Sequence, residues 1–253
     1  MVSSFVLAIA AACASAGCGV QPPKQTTFTF SYDVISERPA TTPIDAPSIV
    51  DLETPKVALA IIDDKGFRSG GVTMRTTPTT EHGAQFMVSE DDRRVEFVRR
   101  NDDGSIALTA LIERPDNALT LFEPPLIVAP ATLEPGASFT SESAMRVVAI
   151  DDPSRQREHG PCKHTVTYAN DATVRLAAGE VDVARLEVRF EADLRLANAE
   201  ESTTMYVSRG ETPGAQGEQL KGLILKHSSE KITILGAFPR TTRRTLLRET
   251  WTP

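Results

Sequence analysis

Cysteine is scarce in this chain of 253 residues, which contains Cys13, Cys18 and Cys162. The first two lie in or beside an apolar leader, so only Cys162 would keep a free side chain in the processed protein. A single thiol cannot form an intramolecular disulfide. The sequence therefore excludes a disulfide-stabilised fold. Cys162 is expected to be a free thiol, a link to another chain or a small core residue.

Signatures of common enzyme classes are also absent. The sequence has no G-x-S-x-G elbow, no H-E-x-x-H zinc motif, no G-x-x-x-x-G-K-[ST] phosphate loop and no D-x-[DN]-x-[DN]-G calcium loop. Aspartate pairs occur at 63–64, 91–92, 102–103 and 151–152, each beside turn residues or charged neighbours. Short acidic side chains commonly cap turns. We therefore predict structural roles for these pairs, no cofactor and no enzymatic activity.

Positive charge is in deficit. The chain has 27 Lys and Arg against 34 Asp and Glu, which gives a net charge of −7. None of the first seventeen residues is charged, so the whole excess of negative charge belongs to the rest of the chain. An acidic domain is repelled by nucleic-acid phosphates. We expect no nucleic-acid partner and no general adsorption to anionic lipid.

Long hydrophobic runs are missing as well. The apolar stretch from Phe5 to Ala12 is too short to span a bilayer but has the length of a signal-peptide core. It is followed by Ser15-Ala16-Gly17-Cys18, which resembles a bacterial lipobox, although Ser15 stands where Leu is usual and no Lys or Arg precedes the run. We predict a lipoprotein signal peptide over residues 1–17. Plain secretion and a buried N-terminal strand are the alternatives.

Cleavage ahead of Cys18 would leave a lipid-anchored protein with a short tether over residues 18–26. Each buried methylene of an acyl chain contributes about 0.8 kcal/mol, so several chains anchor a soluble domain to a membrane. Gly19 after the acylated cysteine gives no inner-membrane retention signal. We therefore predict an exported protein of the cell envelope, most readily in an outer membrane and facing the periplasm.

What the sequence does contain is alternation. Between Arg185 and Leu196, six apolar residues alternate with six charged residues. On a helix this pattern gives no apolar stripe, whereas on a strand it gives one dry face and one charged face. We predict a long antiparallel strand here, despite a composition that favours helix. Shorter alternating runs recur about every ten residues, which indicates one all-β domain over residues 27–253: a curved antiparallel sheet, a half-barrel or a barrel-like meander.

Proline and turn residues punctuate this β pattern. Prolines over residues 37–55 predict an irregular crossing, and those over residues 122–139 predict a crossover between two halves. Residues 155–161 are expected to form a charged loop, and Asn170-Asp171 a turn. The sequence predicts one short helix, near residues 243–248.

One cluster has the side chains of a metal site. On a strand, Cys162 and His164 would face the same side about 7 Å apart, and His159 could reach back from the preceding loop. Two imidazoles and a thiolate suit Zn²⁺ or a copper ion. Lys163 or His164 could also lower the thiol pKa and activate the sulfur. The simpler interpretation is a small cysteine buried at the start of a strand, because no fourth ligand is visible nearby.

The apolar face of the long strand is the other candidate site. A ligand carrier would need a concave surface lined by inward residues, whereas a scaffold for a protein partner would need that surface filled. Residues predicted to line such a surface are Leu186, Val188, Phe190, Leu194 and Tyr206.

Several short motifs indicate a resemblance to a known protein family. Phe122-Glu123-Pro124-Pro125-Leu126 has an aromatic-x-P-P spacing, and Leu133-Glu134-Pro135-Gly136 follows with a P-G pair. Thr204-Met205-Tyr206-Val207 and Gly222-Leu223-Ile224 continue the pattern. Across residues 120–230 this order resembles the TapB-like bacterial exported proteins, although residues 174–181 lack the proline and aromatic residue of that family's turn. The resemblance implies a curved antiparallel β-fold and no activity.

A more remote resemblance is to Lol-type lipoprotein carriers, whose half-open barrel holds acyl chains. The sequence thus predicts a non-enzymatic, envelope-anchored lipoprotein that binds an apolar ligand in a concave sheet. The alternatives are a scaffold for an envelope protein and, thirdly, a metal-binding protein or enzyme that uses His159, Cys162 and His164.

Overall fold

The computed structural model describes residues 32–176, 179–213, 219–235 and 237–249. The predicted signal peptide, Cys18 and the tether lie outside these residues. In the part of the chain that is described, no helix has the length and apolar character needed to cross a membrane.

The described residues are mostly strand. The strands are β1 (Asp33–Arg38), β2 (Ile44–Asp45), β3 (Lys56–Ile62), β4 (Arg68–Pro78), β5 (Phe86–Glu90), β6 (Arg94–Arg100), β7 (Ile106–Glu113), β8 (Ala118–Ala129), β9 (Thr132–Leu133), β10 (Ser138–Ala149), β11 (Gln156–Leu176), β12 (Gly179–Asp193), β13 (Ala197–Pro213), β14 (Gln219–Ile234) and β15 (Phe238–Arg248). One α-helical turn, α1 (Ala46–Ile49), and 3₁₀ turns at Glu81–Gly83 and Arg114–Asp116 accompany them.

Twelve strands form a closed antiparallel barrel. Their order is β11-β10-β8-β7-β6-β5-β4-β3-β15-β14-β13-β12, and β12 pairs back with β11. β1 is an additional strand on β11, and β2 pairs with β9 in a separate ribbon. The predicted all-β fold is confirmed, and the structure adds that the barrel is closed.

The 21 residues of β11 make this closure possible. Its first part pairs with β10 as far as Thr167, and its last part pairs with β1 from Asp171 onward. Its other edge pairs with β12 from Cys162 to Leu176. A register shift between Tyr168 and Asn170 marks a bulge, which bends the strand where its neighbour changes.

The pairing register places alternate residues inside and outside the barrel. Leu186 pairs with Tyr168 on one side and Met205 on the other, and all three are almost fully buried in the largest core cluster. Following these pairs around the ring assigns one face of every strand to the interior. The hydrophobic core of the protein therefore fills the barrel.

The long alternating segment forms β12, as predicted, up to Asp193. Its charged residues point outward and form ion pairs, including Arg189 with Glu191 at 3.0 Å and Arg189 with Glu200 at 2.8 Å. The strand ends three residues before Leu196. There the chain turns across β11, and Leu196 N–H donates to the buried carboxylate of Glu158 at 3.2 Å.

A segment between β1 and β3 covers one end of the barrel. Asp45 caps α1 by accepting a hydrogen bond from Ser48 N–H at 3.0 Å, and Pro47 occupies the first turn. The predicted irregular crossing therefore contains a short helix. Its apolar side chains enter the main core, and the buried members of this plug are Ile44, Ala46, Ile49, Val50 and Leu52.

The prolines after Phe122 do not end the strand, contrary to the predicted crossover. β8 continues through Pro124 and Pro125 to Ala129. Its register with β7 jumps from Leu121 to Leu126, so the prolines lie where no ladder partner on β7 needs an N–H donor. Within the predicted crossover of residues 122–139, the part that connects two strands is the segment between β8 and β10, which contains β9.

Three other sequence expectations are wrong for one reason. Residues 156–161 belong to β11 and are not a loop, Asn170-Asp171 follows a bulge within that strand, and residues 243–248 form β15 and not a helix. In each case, long-range pairing with a neighbouring strand overrides the local preference for a turn or helix. Such pairing is invisible in a short sequence window.

Gly160 offers a test of the way β12 ends. A Cβ atom at this position would overlap the Asp193 carbonyl oxygen, where the chain leaves β12 and crosses β11. We expect Gly160→Ala to lower the free energy of unfolding by about 3 kcal/mol, because backbone atoms must move. Urea unfolding measures the change. Gly70→Ala is the matched control, since a Cβ there meets only Ile61 at 3.4 Å. Equal stability of the two variants would contradict this packing.

Candidate functional site

The residues predicted to line an apolar ligand surface are divided between two faces. Leu186, Val188 and Phe190 point into the barrel from β12, and Leu194 joins the same core cluster just after the strand. Leu186, Phe190 and Leu194 are at most 5% exposed. Tyr206 lies on the outer face in a different cluster. The four inward residues are thus packed as core.

The predicted metal ligands are also divided. Cys162 and His164 face the barrel interior, as their spacing on one strand predicted, whereas His159 pairs with Arg146 on the outer face. Among the described residues, no group of three or more His, Cys, Asp or Glu side chains is placed to hold a metal ion. The structure therefore does not bring these three residues together.

The interior positions of Cys162 and His164 decide their chemistry. Burial raises the pKa of the Cys162 thiol to about 12, so this sulfur is not a thiolate nucleophile near neutral pH. Burial lowers the pKa of His164 to about 3, and its Nδ1 atom has no hydrogen-bond partner among the described residues. His164 is thus a neutral imidazole in the core, and neither Lys163 nor His164 activates the sulfur.

An interior charge network is the main feature that sequence reasoning missed. Arg94 lies inside the barrel and donates hydrogen bonds to Glu96 at 3.0 Å and Glu113 at 3.2 Å. Arg244 pairs with Glu90 at 2.5 Å. Removing one partner from such a buried pair typically costs about 3–5 kcal/mol. The network therefore fixes the relative positions of β5, β6, β7 and β15.

Lys226 and Glu201 extend this network across the barrel. Burial lowers the pKa of Lys226, and the neighbouring carboxylate of Glu201 opposes that shift. Glu201 is 2% exposed, and its Oε1 accepts a hydrogen bond from Thr203 at 2.8 Å. Its Oε2 has no hydrogen-bond partner in the part of the chain that the structure describes. The interior thus combines an apolar region with a charged one.

The aspartate pairs have the structural roles predicted for them. Asp63 accepts hydrogen bonds from the N–H groups of Lys65 and Phe67, and Asp103 accepts one from Ser105 N–H. Asp91 and Asp92 both adopt left-handed backbone conformations in the turn between β5 and β6. These side chains and backbones shape turns.

A cavity of about 990 Å³ lies on the outer face, where the sheet of β11 to β15 and β3 is concave. We call it the saddle groove. Charges of both signs line it, from Lys163, Arg189 and Arg243 to Glu187 and Glu191. Hydroxyl side chains make up much of its floor, namely Thr165, Thr167, Ser202, Thr204, Ser229 and Thr245.

An aromatic cluster adjoins the saddle groove. The ring of His227, which lines the groove, lies 5.6 Å from Tyr32 and 6.3 Å from Tyr206. Burial raises the pKa of both tyrosines, so their hydroxyls remain protonated. Of the predicted ligand-binding residues, Val188 contributes to the lining of the saddle groove, and Tyr206 lies beside that groove through its contact with His227.

A second cavity of about 830 Å³ lies on the outer face of β8 and β10. We call it the basic groove, because its lining includes His82, Arg99, Arg146 and His159, whereas Glu123 is the one carboxylate residue that lines it within the described ranges. His159 belongs to this groove and not to a metal site. The odd spacing of His159 and Cys162 on one strand could have predicted that their side chains point to opposite faces. It could not have predicted that His159 shares a groove with Arg99.

No family model, curated protein or solved structure matches the chain. The resemblance to TapB-like proteins and the remoter one to Lol-type carriers remain predictions.

Cys162 should behave as a buried thiol. In leader-free protein with Cys18→Ser, we expect a thiol reagent at pH 8 to label Cys162 at least about 100-fold more slowly in the folded state than in denaturant. The reason is the combination of burial and a pKa of about 12. Absorbance of the released thiol measures the rate. Rapid labelling of the folded protein would contradict this placement.

Glu113 should make stability depend on pH. Burial raises its pKa from 4.5 to about 8 despite the nearby Arg94, so the folded protein retains a proton that the unfolded chain releases. The stabilisation is complete below about pH 4.5 and is lost as pH rises toward 8. We expect the free energy of unfolding to fall over this range by up to a few kcal/mol more in the wild type than in Glu113→Gln.

Urea unfolding at pH 5 and pH 8 measures this difference. Glu142→Gln is the control, because Glu142 is exposed on β10 and should leave the pH profile unchanged. Parallel profiles for the wild type and Glu113→Gln would show that Glu113 is ionised in the folded protein.

Proposed function

We propose that this chain is a non-enzymatic, lipid-anchored protein of the bacterial envelope that holds an extended, polar segment of another protein in the saddle groove. The observation that carries the proposal is the location of open space. The large cavity lies outside the barrel and most of its lining residues carry a hydroxyl group or a charge, whereas the apolar side chains of β12 point into the barrel.

This distribution favours the scaffold alternative over the lipid carrier. An acyl chain gains free energy from apolar walls, and the saddle groove has hydroxyls and charges along its floor. Hydroxyl groups both donate and accept hydrogen bonds, so they match the N–H and C=O groups of an extended peptide. The groove therefore suits a polypeptide better than a lipid tail.

The charges of the groove favour a partner with charges of its own. Within the described residues, neither Lys163 nor Arg243 has an ion pair, so both cations are open to carboxylates of a partner. Arg189, in contrast, is already paired with Glu191 and Glu200. Complementary charges would set the register of a bound segment and the rate of its association.

The point at which the N-terminal side of the chain joins the barrel supports a role near a membrane. Tyr32 contacts His227 beside the saddle groove, and β1 follows directly. An anchor at Cys18 would be joined to the barrel through this residue. The groove would then face partners held at the same membrane, at high effective concentration.

Photo-crosslinking in cells tests the proposal. A benzophenone amino acid at Thr204, on the floor of the groove, is expected to give discrete adducts with protein. The same amino acid at Thr77 is the control, because Thr77 is exposed at the opposite end of β4 from the groove-lining Ser69. Introducing Lys163→Glu and Arg243→Glu together should reduce the Thr204 adduct at least about fivefold, because the charge complementarity is reversed.

Mass spectrometry of the adduct identifies its chemical class. A peptide adduct that disappears in the charge-reversed protein supports the scaffold proposal. Adducts with lipid would favour the carrier alternative instead, and equal crosslinking from Thr204 and Thr77 would sink the assignment to the groove.

A further inference from the structure

The basic groove concentrates positive charge on a protein whose net charge is −7. Two arginines and two histidines line it, whereas Glu123 is its one carboxylate and forms no ion pair with them in the described part of the chain. A concave wall with one sign of charge raises the local concentration of counter-ions. The groove thus favours an anionic ligand.

One wall holds Arg146 and His159, which are cross-strand neighbours on β10 and β11. Side chains in such pairs start about 5 Å apart. Arg146 is exposed and makes no ion pair or side-chain hydrogen bond within the described residues. The amide nitrogen of Gln156 lies 3.0 Å from His159 Nδ1 and can only donate, so a neutral imidazole carries its proton on Nε2.

The guanidinium of Arg146 and the Nε2–H of His159 both supply hydrogen-bond donors on this wall. Arginine presents a planar fork that matches the oxygens of phosphate, and a charged partner makes such hydrogen bonds roughly twice as strong as neutral ones. This wall is therefore suited to one phosphate group.

The opposite wall holds Arg99 and His82. Arg99 donates from Nε to Asn101 Oδ1 at 3.0 Å, which orients its guanidinium and leaves its terminal nitrogens for a ligand. His82 has a left-handed backbone (φ 51°), and its ring packs edge-on against Phe97 at 4.6 Å. Such a conformation is unfavourable for a residue other than glycine and is retained where the surroundings fix a side chain in place.

The two walls are separated by the width of three inter-strand steps, from β6 across β7 and β8 to β10. At about 4.8 Å each, these steps place the two strands about 14 Å apart. Arg146 shares a row of paired residues with Leu121, Ala110 and Phe97, and Arg99 lies two residues further along β6. Leu121, on β8, lies between the walls and lines the groove with apolar surface. We propose that the basic groove binds a ligand with two phosphate groups, one at each wall, joined by a spacer that crosses Leu121.

Calorimetry on the full-length protein in non-ionic detergent tests the proposal with hexane-1,6-diyl bisphosphate and hexyl phosphate. We expect the bisphosphate to bind at least about tenfold more tightly, because only it reaches both walls. Arg146→Gln and Arg99→Gln should each reduce its affinity about tenfold, toward that of hexyl phosphate. Equal affinity for the two compounds, or no effect of Arg99→Gln, would overturn the two-phosphate assignment.

Two controls locate the binding. Arg75→Gln removes an exposed arginine on β4 that has no ion pair within the described residues, and it should leave affinity unchanged. Lys163→Gln with Arg243→Gln removes cations from the saddle groove and should also have no effect. Loss of binding in this second control would place the phosphates in the saddle groove and refute the proposal.

A lipid headgroup and a soluble metabolite could both supply two phosphates. Short-chain tetrahexanoyl-diphosphatidylglycerol separates these sources when it competes with the bisphosphate. Competition that depends on Arg146 identifies a lipid headgroup as the ligand class. Bisphosphate binding that the lipid does not reduce identifies a soluble bisphosphate, and the site assignment holds in both cases.

Discussion

Pairing of β11 with β12 is the constraint on which the rest of the structure depends. Without it, the twelve strands would form an open sheet with two long edges, and unpaired N–H and C=O groups would face solvent. The length of β11 allows one of its edges to serve β10 and β1 in turn while the other edge serves β12. Closure then separates an interior from an exterior, and it assigns every alternating side chain to one of them.

Closure of the barrel also explains why several charged side chains are buried in this protein. Arg94 and Glu96 flank Val95 in a pattern that, by itself, indicates a solvated charged face and a buried apolar face. In the barrel the charged residues point inward, and Val95 is covered on the outer face in a second core cluster. Both faces of β6 are thus buried. Arg94 forms an ion pair with Glu96 and donates a hydrogen bond to Glu113, so removal of one member leaves buried polar groups without partners. The network therefore disfavours other arrangements of these strands.

The sequence predicted what period-two alternation can predict. The β12 strand and its charged outward face follow from the alternation over residues 185–196, because on a helix that alternation would give no apolar face. The all-β class follows from the shorter alternating runs along the rest of the chain. Barrel closure, the plug formed by residues 44–52 and the inward position of Arg94 depend on partners far along the chain. The same limit applies to the sites. Cys162 and His164 share a face, as their spacing required. Only the fold makes Arg146 the cross-strand partner of His159 and places Arg99 in the same groove.

A filled barrel shifts function to the outside of the molecule. The inner face of β12 contributes to stability, and its outer face, with the neighbouring strands, forms the wall of an open groove. Two grooves of opposite character therefore share one rigid scaffold: the saddle groove balances both signs of charge, whereas the basic groove concentrates one. Strands hold side chains more rigidly than loops do, so partners of different chemistry could be selected without any movement of the barrel. The charge on each groove, and not its volume, is then what distinguishes the two sites.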